Sequence, residues 1–251
     1  MLKLRIIPTI LFNNFKLVKG IGFDSWRTVG SIMQAVKIYN LREVDELIIL
    51  DISATNNNKK VDLDLINEIA NETFMPLTVG GGIKSVEDVS SLLEAGADKV
   101  SINSSTFNND FFIKEVSRTF GRQCIVCSID YKIIDKKIVL FSNSGKIRQK
   151  INFIDHVKKM EDLGAGEIIL TSIDLDGTMK GYDIDTLSKA SKNIEIPVIA
   201  SGGAGKLNDF SDAVKKTDVS ALAAASIYHF TNITPRDVKL HLNSQNIPVR
   251  I

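Results

Sequence analysis

Two glycine pairs stand 121 residues apart in this chain, each directly behind a short apolar run: "MPLTVGGGIK" at residues 75–84 and "IPVIASGGAGK" at 196–206. The same separation sets Pro76 against Pro197, "ELIILDISAT" from Glu46 against "EIILTSIDLDGT" from Glu167, and Ser105 against Ser226. Agreement at one long period across several segments means that a structural unit has been used twice. The chain therefore reads as two equivalent halves, about residues 1–120 and 121–251, with no linker between them.

Strand-like runs begin near Arg5 (RIIPTI), Glu46 (ELIILDI), Leu77 (LTVG), Lys99 (KVSI), Cys124 (CIVCSID), Glu167 (EIILTSI), Val198 (VIAS) and Ala221 (ALAAA). Most are followed by apolar residues at helical spacing, such as Val86, Val89, Leu92 and Leu93, or Phe153, Val157, Met160 and Leu163. Ser85 and Thr234-Pro235 make good helix starts. Alternating strands and helices call for a parallel sheet, and strands apolar on both faces call for cover on both sides. Four strand–helix units per half give a single-domain α/β fold, the (β/α)8 TIM barrel, with an internal two-fold half-barrel repeat. An open doubly wound sheet uses the same elements but does not predict two equivalent halves. Pro8 lacks a ladder donor, so it is expected near the end of the first strand.

The near balance of 31 Lys and Arg against 30 Asp and Glu excludes a long-range positive field for nucleic acid or an anionic membrane. An anion must be bound locally. The N-terminal apolar run is broken by Lys3, Arg5 and Pro8, and no run of about 18 apolar residues occurs. A soluble, cytoplasmic protein is expected. Cys124 and Cys127 point to opposite faces of a strand and read as core thiols. His156, His229 and His241 lack metal-ligand spacing, and neither a metal nor a redox cofactor is indicated.

In a parallel barrel the chemistry gathers at the carboxyl ends of the strands. "SGGAGK" at 201–206 is not a nucleotide-binding P-loop, because Ala200 and Leu207 occupy places that pattern reserves for Gly and Ser or Thr. Alone, each glycine pair reads equally well as a tight turn. As a symmetric pair, beside "INSS" at 102–105 and "AAAS" at 223–226, they read as two phosphate sites on opposite sides of one mouth. Asp130 ends the fifth strand and is the better acid–base candidate; Asp174 and Asp176 follow the sixth, Asp174 equally readable as a turn residue. "KIIDKKIVLF" alternates around Asp135-Lys136, a hairpin able to lie over the mouth. At the opposite end, Arg5, Glu46, Lys99 and Glu167 start four strands and can face one another as a ring of alternating charge.

Taken together, "RIIP", "LVKG", "DELIILDISA", "TVGGGI", "GADKVSIN", "RTFG", "GAGEIILTSIDLDGT", "GYD" and "IASGGAGK" make the chain resemble, over essentially its whole length, the cyclase subunit of imidazole glycerol phosphate synthase. In that family a glutaminase subunit docks on the barrel floor and ammonia crosses the interior to a bisphosphorylated ribulosyl-formimino nucleotide at the mouth. The resemblance implies a gate of Arg5, Glu46, Lys99 and Glu167, with Asp98 facing the glutaminase. It implies phosphate contacts at Gly82, Asn103 and Ser104 on one side and at Asp176, Gly177, Gly203, Ala225 and Ser226 on the other. It also places Lys19 in the active-site loop and Asp130 as a catalytic acid or base.

One position departs from the family pattern. The acid expected at the end of the first strand is Leu11, which transfers no proton. "RIIPTIL", "VDELIILDI" and "DGTMKGYD" look closer to a paralogous line that accompanies an amidotransferase in the acetamidino modification of bacterial surface sugars. The expectation is thus an ammonia-channelling enzyme subunit acting on a phosphorylated or nucleotide-activated sugar in surface polysaccharide biosynthesis. The alternatives are the histidine-pathway cyclase itself and a non-catalytic channelling scaffold.

Overall fold

A computed structural model describes residues 3–109 and 111–251. The first half supplies β1 (Arg5–Asn13), β2 (Lys16–Ile21), β3 (Asp24–Ser31), α1 (Ile32–Leu41), β4 (Leu47–Asp51), α2 (Leu63–Glu72), β5 (Leu77–Gly80), α3 (Val86–Glu94), β6 (Lys99–Ile102), α4 (Ser105–Asn108) and α5 (Phe112–Phe120). The second supplies β7 (Ile125–Ile134), β8 (Lys137–Ser142), β9 (Ile147–Arg148), α6 (Phe153–Asp162), β10 (Glu167–Ser172), α7 (Ile184–Ser191), β11 (Val198–Ser201), α8 (Leu207–Lys216), β12 (Ala221–Ala224), α9 (Ser226–Phe230) and α10 (Pro235–Ser244).

Parallel strands run in the order β10-β11-β12-β1-β4-β5-β6-β7, and a further β10–β7 pairing from Glu167↔Val126 to Ser172↔Tyr131 closes the circle. This closed eight-stranded barrel is the expected fold, each of the eight strand-like runs supplying one stave. In each half the first strand carries a β-hairpin in place of an immediate helix: β2 and β3 follow β1, and β8 and β9 follow β7. The second hairpin turns at Asp135 and Lys136, both with positive φ, as its sequence implied.

The apolar residues divide into an outer and an inner core. Ile6, Ile10, Leu47, Ile49, Val79 and Val100 face outward and pack against helical residues such as Val36, Ile66 and Val89. Ile7, Ile48, Val126, Ile169, Ile199, Ala221 and Ala223 fill the interior between floor and mouth. That division is the physical reason the strands read apolar on both faces. Ser85 and Thr234 cap α3 and α10 through reciprocal capping boxes with Asp88 and Asp237, and Pro235 opens α10.

The placement of Pro8 differs from expectation. It lies in the middle of β1, where its pairing with Ala224 of β12 ends that ladder and Thr9↔Ile48 begins the one with β4. At this change of partner a missing N–H interrupts neither register. Cys124 and Cys127 are buried and unbridged, and burial pushes the Cys127 thiol up to about 12.

Candidate functional site at the barrel mouth

The carboxyl ends of the barrel strands surround a cavity of about 540 Å³, within the usual range for a small-ligand site. Gly82, Asn103 and Ser104 line one side; Asp176, Gly177, Gly203, Ala225 and Ser226 line the other. The first group follows β5 and β6 and the second chiefly β11 and β12, pairs that lie opposite each other in the circle. On the first side the Asn103 amide donates to the Ser128 carbonyl at 3.0 Å and to Asp130 Oδ2 at 3.2 Å, while Asn143 N–H donates to Ser104 Oγ at 3.0 Å. On the second, Ser226 Oγ is buried with no hydrogen-bond partner among the described residues. Lys206 of the P-loop look-alike does not line the cavity; it precedes α8, and its N–H donates to Asp209 at 3.0 Å.

Asp130 sits on the wall in the middle of β7 rather than at its end, because the strand runs on into the β8 hairpin, and it is only 8% exposed. Burial, followed by the charge of Asp176, outweighs the Ser128 hydrogen bond and raises its pKa from 3.8 to about 7. A carboxyl poised there can give or take a proton near neutral pH. Across the mouth stands Leu11, buried and flanked by Leu50 on β4 and Val18 on β2. Both Leu11 and Leu50 line the cavity, so the position facing Asp130 is apolar.

Lys19 is 1% exposed and contacts both carboxylate oxygens of Asp176, at 2.9 and 2.7 Å. Gly22 N–H donates to the Asp176 carbonyl at 2.9 Å, and Gly177 has φ 77° with the Gly20 carbonyl pressed against it, leaving no room for a Cβ. The β2–β3 hairpin is therefore closed over the second glycine side. Phe23 packs with Val139, Phe141 and Ile173, and the Arg27 guanidinium lies 4.1 Å from the centroid of Phe230. Asp174 is structural: its carboxylate accepts Ile133 N–H at 2.9 Å. His229 is held neutral, its pKa lowered to about 4 by burial and then by the Lys19 charge.

At the floor, Arg5 contacts Glu46 at 2.7 Å and Glu167 at 2.9 Å, and Lys99 contacts Glu46 at 3.1 Å and Glu167 at 2.8 Å. The ring of alternating sign is closed. Burial penalises Glu167, but Arg5 and then Lys99 outweigh it and hold its pKa below the ordinary range. The Asp98 carboxylate is exposed at the same end and accepts Leu77 N–H at 2.8 Å. Beside the ring, Asp45 accepts Ile6 N–H at 2.8 Å and pairs with buried Lys239 of α10 at 2.9 Å.

Sequence reasoning missed several lining residues. Thr9 Oγ1 is buried without a hydrogen-bond partner among the described residues, and Asp51 accepts Ser53 and Ala54 N–H groups at 2.8 and 3.0 Å. Phe23 and Trp26 reach the cavity from the hairpin. The strand end Asp51 could have been found by extending the carboxyl-end rule to every strand; nothing local marked mid-strand Thr9 or the two aromatics. Among the described residues no group of His, Cys, Asp or Glu could hold a metal, and no helix is long and apolar enough to cross a membrane.

A family profile described as "Histidine biosynthesis protein" matches residues 5–234. Among relatives described as "Imidazole glycerol phosphate synthase subunit HisF", the protein of Clostridium botulinum (strain 657 / Type Ba4) is 42% identical over 253 aligned residues, covering all of both chains. That of Hydrogenobaculum sp. (strain Y04AAS1) is 44% identical with the same full coverage. That of Endomicrobium trichonymphae is 45% identical over all of this chain and 96% of its own.

Proposed function

Because the chain belongs to the histidine biosynthesis protein family, we propose that it is an imidazole glycerol phosphate synthase type of cyclase, using ammonia from a glutaminase subunit on a phosphorylated substrate. The observation that carries this reading is a single cavity flanked by two opposed glycine loops and set above a closed ring of four charges. Each loop side holds one phosphate, so the ligand carries two phosphates or a diphosphate. The glutaminase docks at the floor beside Asp98, and opening of the Arg5–Glu46–Lys99–Glu167 ring admits ammonia. Ile7, Ile48, Val126, Ile169 and Ile199 make the interior apolar; it passes neutral ammonia and rejects ammonium, whose burial as an unpaired charge is too costly.

At the mouth Asp130 acts as general acid or base, half ionised near pH 7. Lys19, on the closed hairpin, holds the lid against Asp176 and supplies positive charge beside the second phosphate side. The test is to supply the bisphosphorylated ribulosyl-formimino nucleotide with an ammonium salt and look for imidazole glycerol phosphate. Product supports the cyclase reading; its absence refutes it.

Leu11 favours a second reading. Leu11 puts an apolar residue opposite Asp130, where an imidazole-forming acid–base pair needs a second proton-transferring group. Amidine formation on a phosphorylated or nucleotide-activated surface sugar, with an amidotransferase as further partner, makes no such demand. The names of the relatives favour the histidine-pathway reading, and Leu11 favours the sugar one. Glutamine-dependent conversion of a nucleotide-activated sugar to its acetamidino form, without turnover of the histidine-pathway intermediate, selects the second. Glutaminase binding with no phosphorylated ligand bound at all reduces the chain to a channelling scaffold.

A further inference from the structure

The closed hairpin presents an aromatic side chain to the cavity that phosphate recognition does not use. Lys19 pairs with Arg27 and Ile21 with Asp24, so between these pairs Gly20 alone faces two residues, Ser25 and Trp26. Such a bulge bends the strand and re-aims a side chain. Ser25 has φ 53°, consistent with that distortion. Trp26 Cε3 lies 2.9 Å from where a Cβ on Gly20 would stand, so the indole rests on bare backbone, and Trp26 is half-buried and lines the cavity. On the same hairpin, Lys19 is held by Asp176 and the Gly20 carbonyl presses on Gly177.

A large aromatic ring partly exposed in a lid stays there at a cost in solvation unless something covers it. Phe23, on the same hairpin, is covered by Val139, Phe141 and Ile173, whereas Trp26 belongs to none of the apolar clusters of the described residues. Leu11, Leu50 and Ala223 add apolar surface to the same cavity. A cavity lined by an indole from its lid and by aliphatic groups, with an anion side on either hand, fits a planar heterocycle joined to a phosphate.

We propose that Trp26 is a specificity residue that stacks on the heterocyclic base of a phosphorylated ligand when the β2–β3 hairpin closes. This rests on the phosphate reading of the mouth given above, and it holds for the ribulosyl-formimino nucleotide and for a nucleotide-activated sugar, because both carry a base. Stacking tolerates any base, since every base has a π face. Trp26 therefore selects for the presence of a ring, and the groups around Asp130 select for its identity.

Trp26 is the chain's single tryptophan, so its emission reports this contact without background. The probes are AMP and UMP against ribose 5-phosphate, which has the sugar and phosphate without the base, with affinities measured by calorimetry. We expect both nucleotides to bind roughly tenfold more tightly than ribose 5-phosphate and to quench Trp26, which ribose 5-phosphate does not. Trp26→Ala should abolish that tenfold preference while leaving ribose 5-phosphate affinity within about twofold, and Trp26→Phe should keep most of it. A preference that persists in Trp26→Ala, or equal binding of all three compounds by the native chain, overturns the stacking assignment alone. Failure of all three to bind overturns the phosphate reading and this assignment with it.

Discussion

The two half-barrels open with equivalent strands that end in opposite chemistry. β1 and β7 lie across the barrel from each other and each runs on into a hairpin, yet β7 delivers Asp130 to the mouth and β1 delivers Leu11. The hairpins differ as well. β2–β3 is latched over the second glycine side by the Lys19–Asp176 pair, whereas β8–β9 supplies Asn143, which donates to Ser104 on the first side, and Phe141, against which Phe23 packs. A duplicated frame thus fixes where two chemical groups stand without fixing what they are. The glycine loops keep the symmetry of the frame, and the strand positions facing each other across the mouth, Leu11 and Asp130, do not.

The strongest way to break this asymmetry is at its acidic end. Asp130→Asn should lower ammonium-driven turnover by about 10²–10⁴-fold, read as kcat on either candidate substrate. The same variant has a stability signature. Native Asp130 has a folded pKa of about 7 against an ordinary 3.8, so ionising it in the folded protein is unfavourable. That penalty is absent below about pH 4, grows as pH rises and is complete above about pH 7, on the order of a few kcal/mol. Asp130→Asn should therefore melt higher than the native chain at pH 8, and the gap should shrink on acidification toward pH 4.

At the apolar end, Leu11→Asp restores a second carboxylate opposite Asp130. It should raise imidazole-forming turnover of the histidine-pathway intermediate at least about tenfold while lowering Tm, because the new group sits beside Leu50 and Val18. No gain in turnover would mean that the missing acid is not what limits this site. Gly177→Ala probes the lid: φ 77° and the abutting Gly20 carbonyl should prevent hairpin closure and weaken phosphorylated-ligand affinity by roughly tenfold, with little change in far-UV circular dichroism. The smallest effect is expected at the floor. Lys99→Met opens one side of the ring and should change glutamine-driven turnover several-fold in the assembled complex while leaving ammonium-driven turnover within about twofold. Equal changes in both assays would deny the floor a role in delivery.

Much of this arrangement was legible because it is periodic. The start of every barrel strand, the Asp135-Lys136 turn and the opposed glycine loops follow from apolar spacing and one long repeat. Arg5, Glu46, Lys99 and Glu167 could be placed near one another because equivalent strand starts must meet at one end of a barrel. Other features carried no such signal. Pro8 reads as a strand end in a local scan and lies mid-strand because β1 changes partner there. The resemblance places Lys19 in an active-site loop, and the structure folds that segment as the bulged β2–β3 hairpin, closed by contacts with Asp176 more than a hundred residues away.

By itself the sequence determined the barrel, its doubling, and the opposed glycine loops, since these depend on side-chain periodicity and the backbone freedom of glycine. Only the tertiary structure decided that Asp130 titrates near pH 7, that Lys19 is held by Asp176, and that Trp26 faces the cavity from a closed lid. Desolvation and charge proximity act through space, between residues that the chain order leaves far apart.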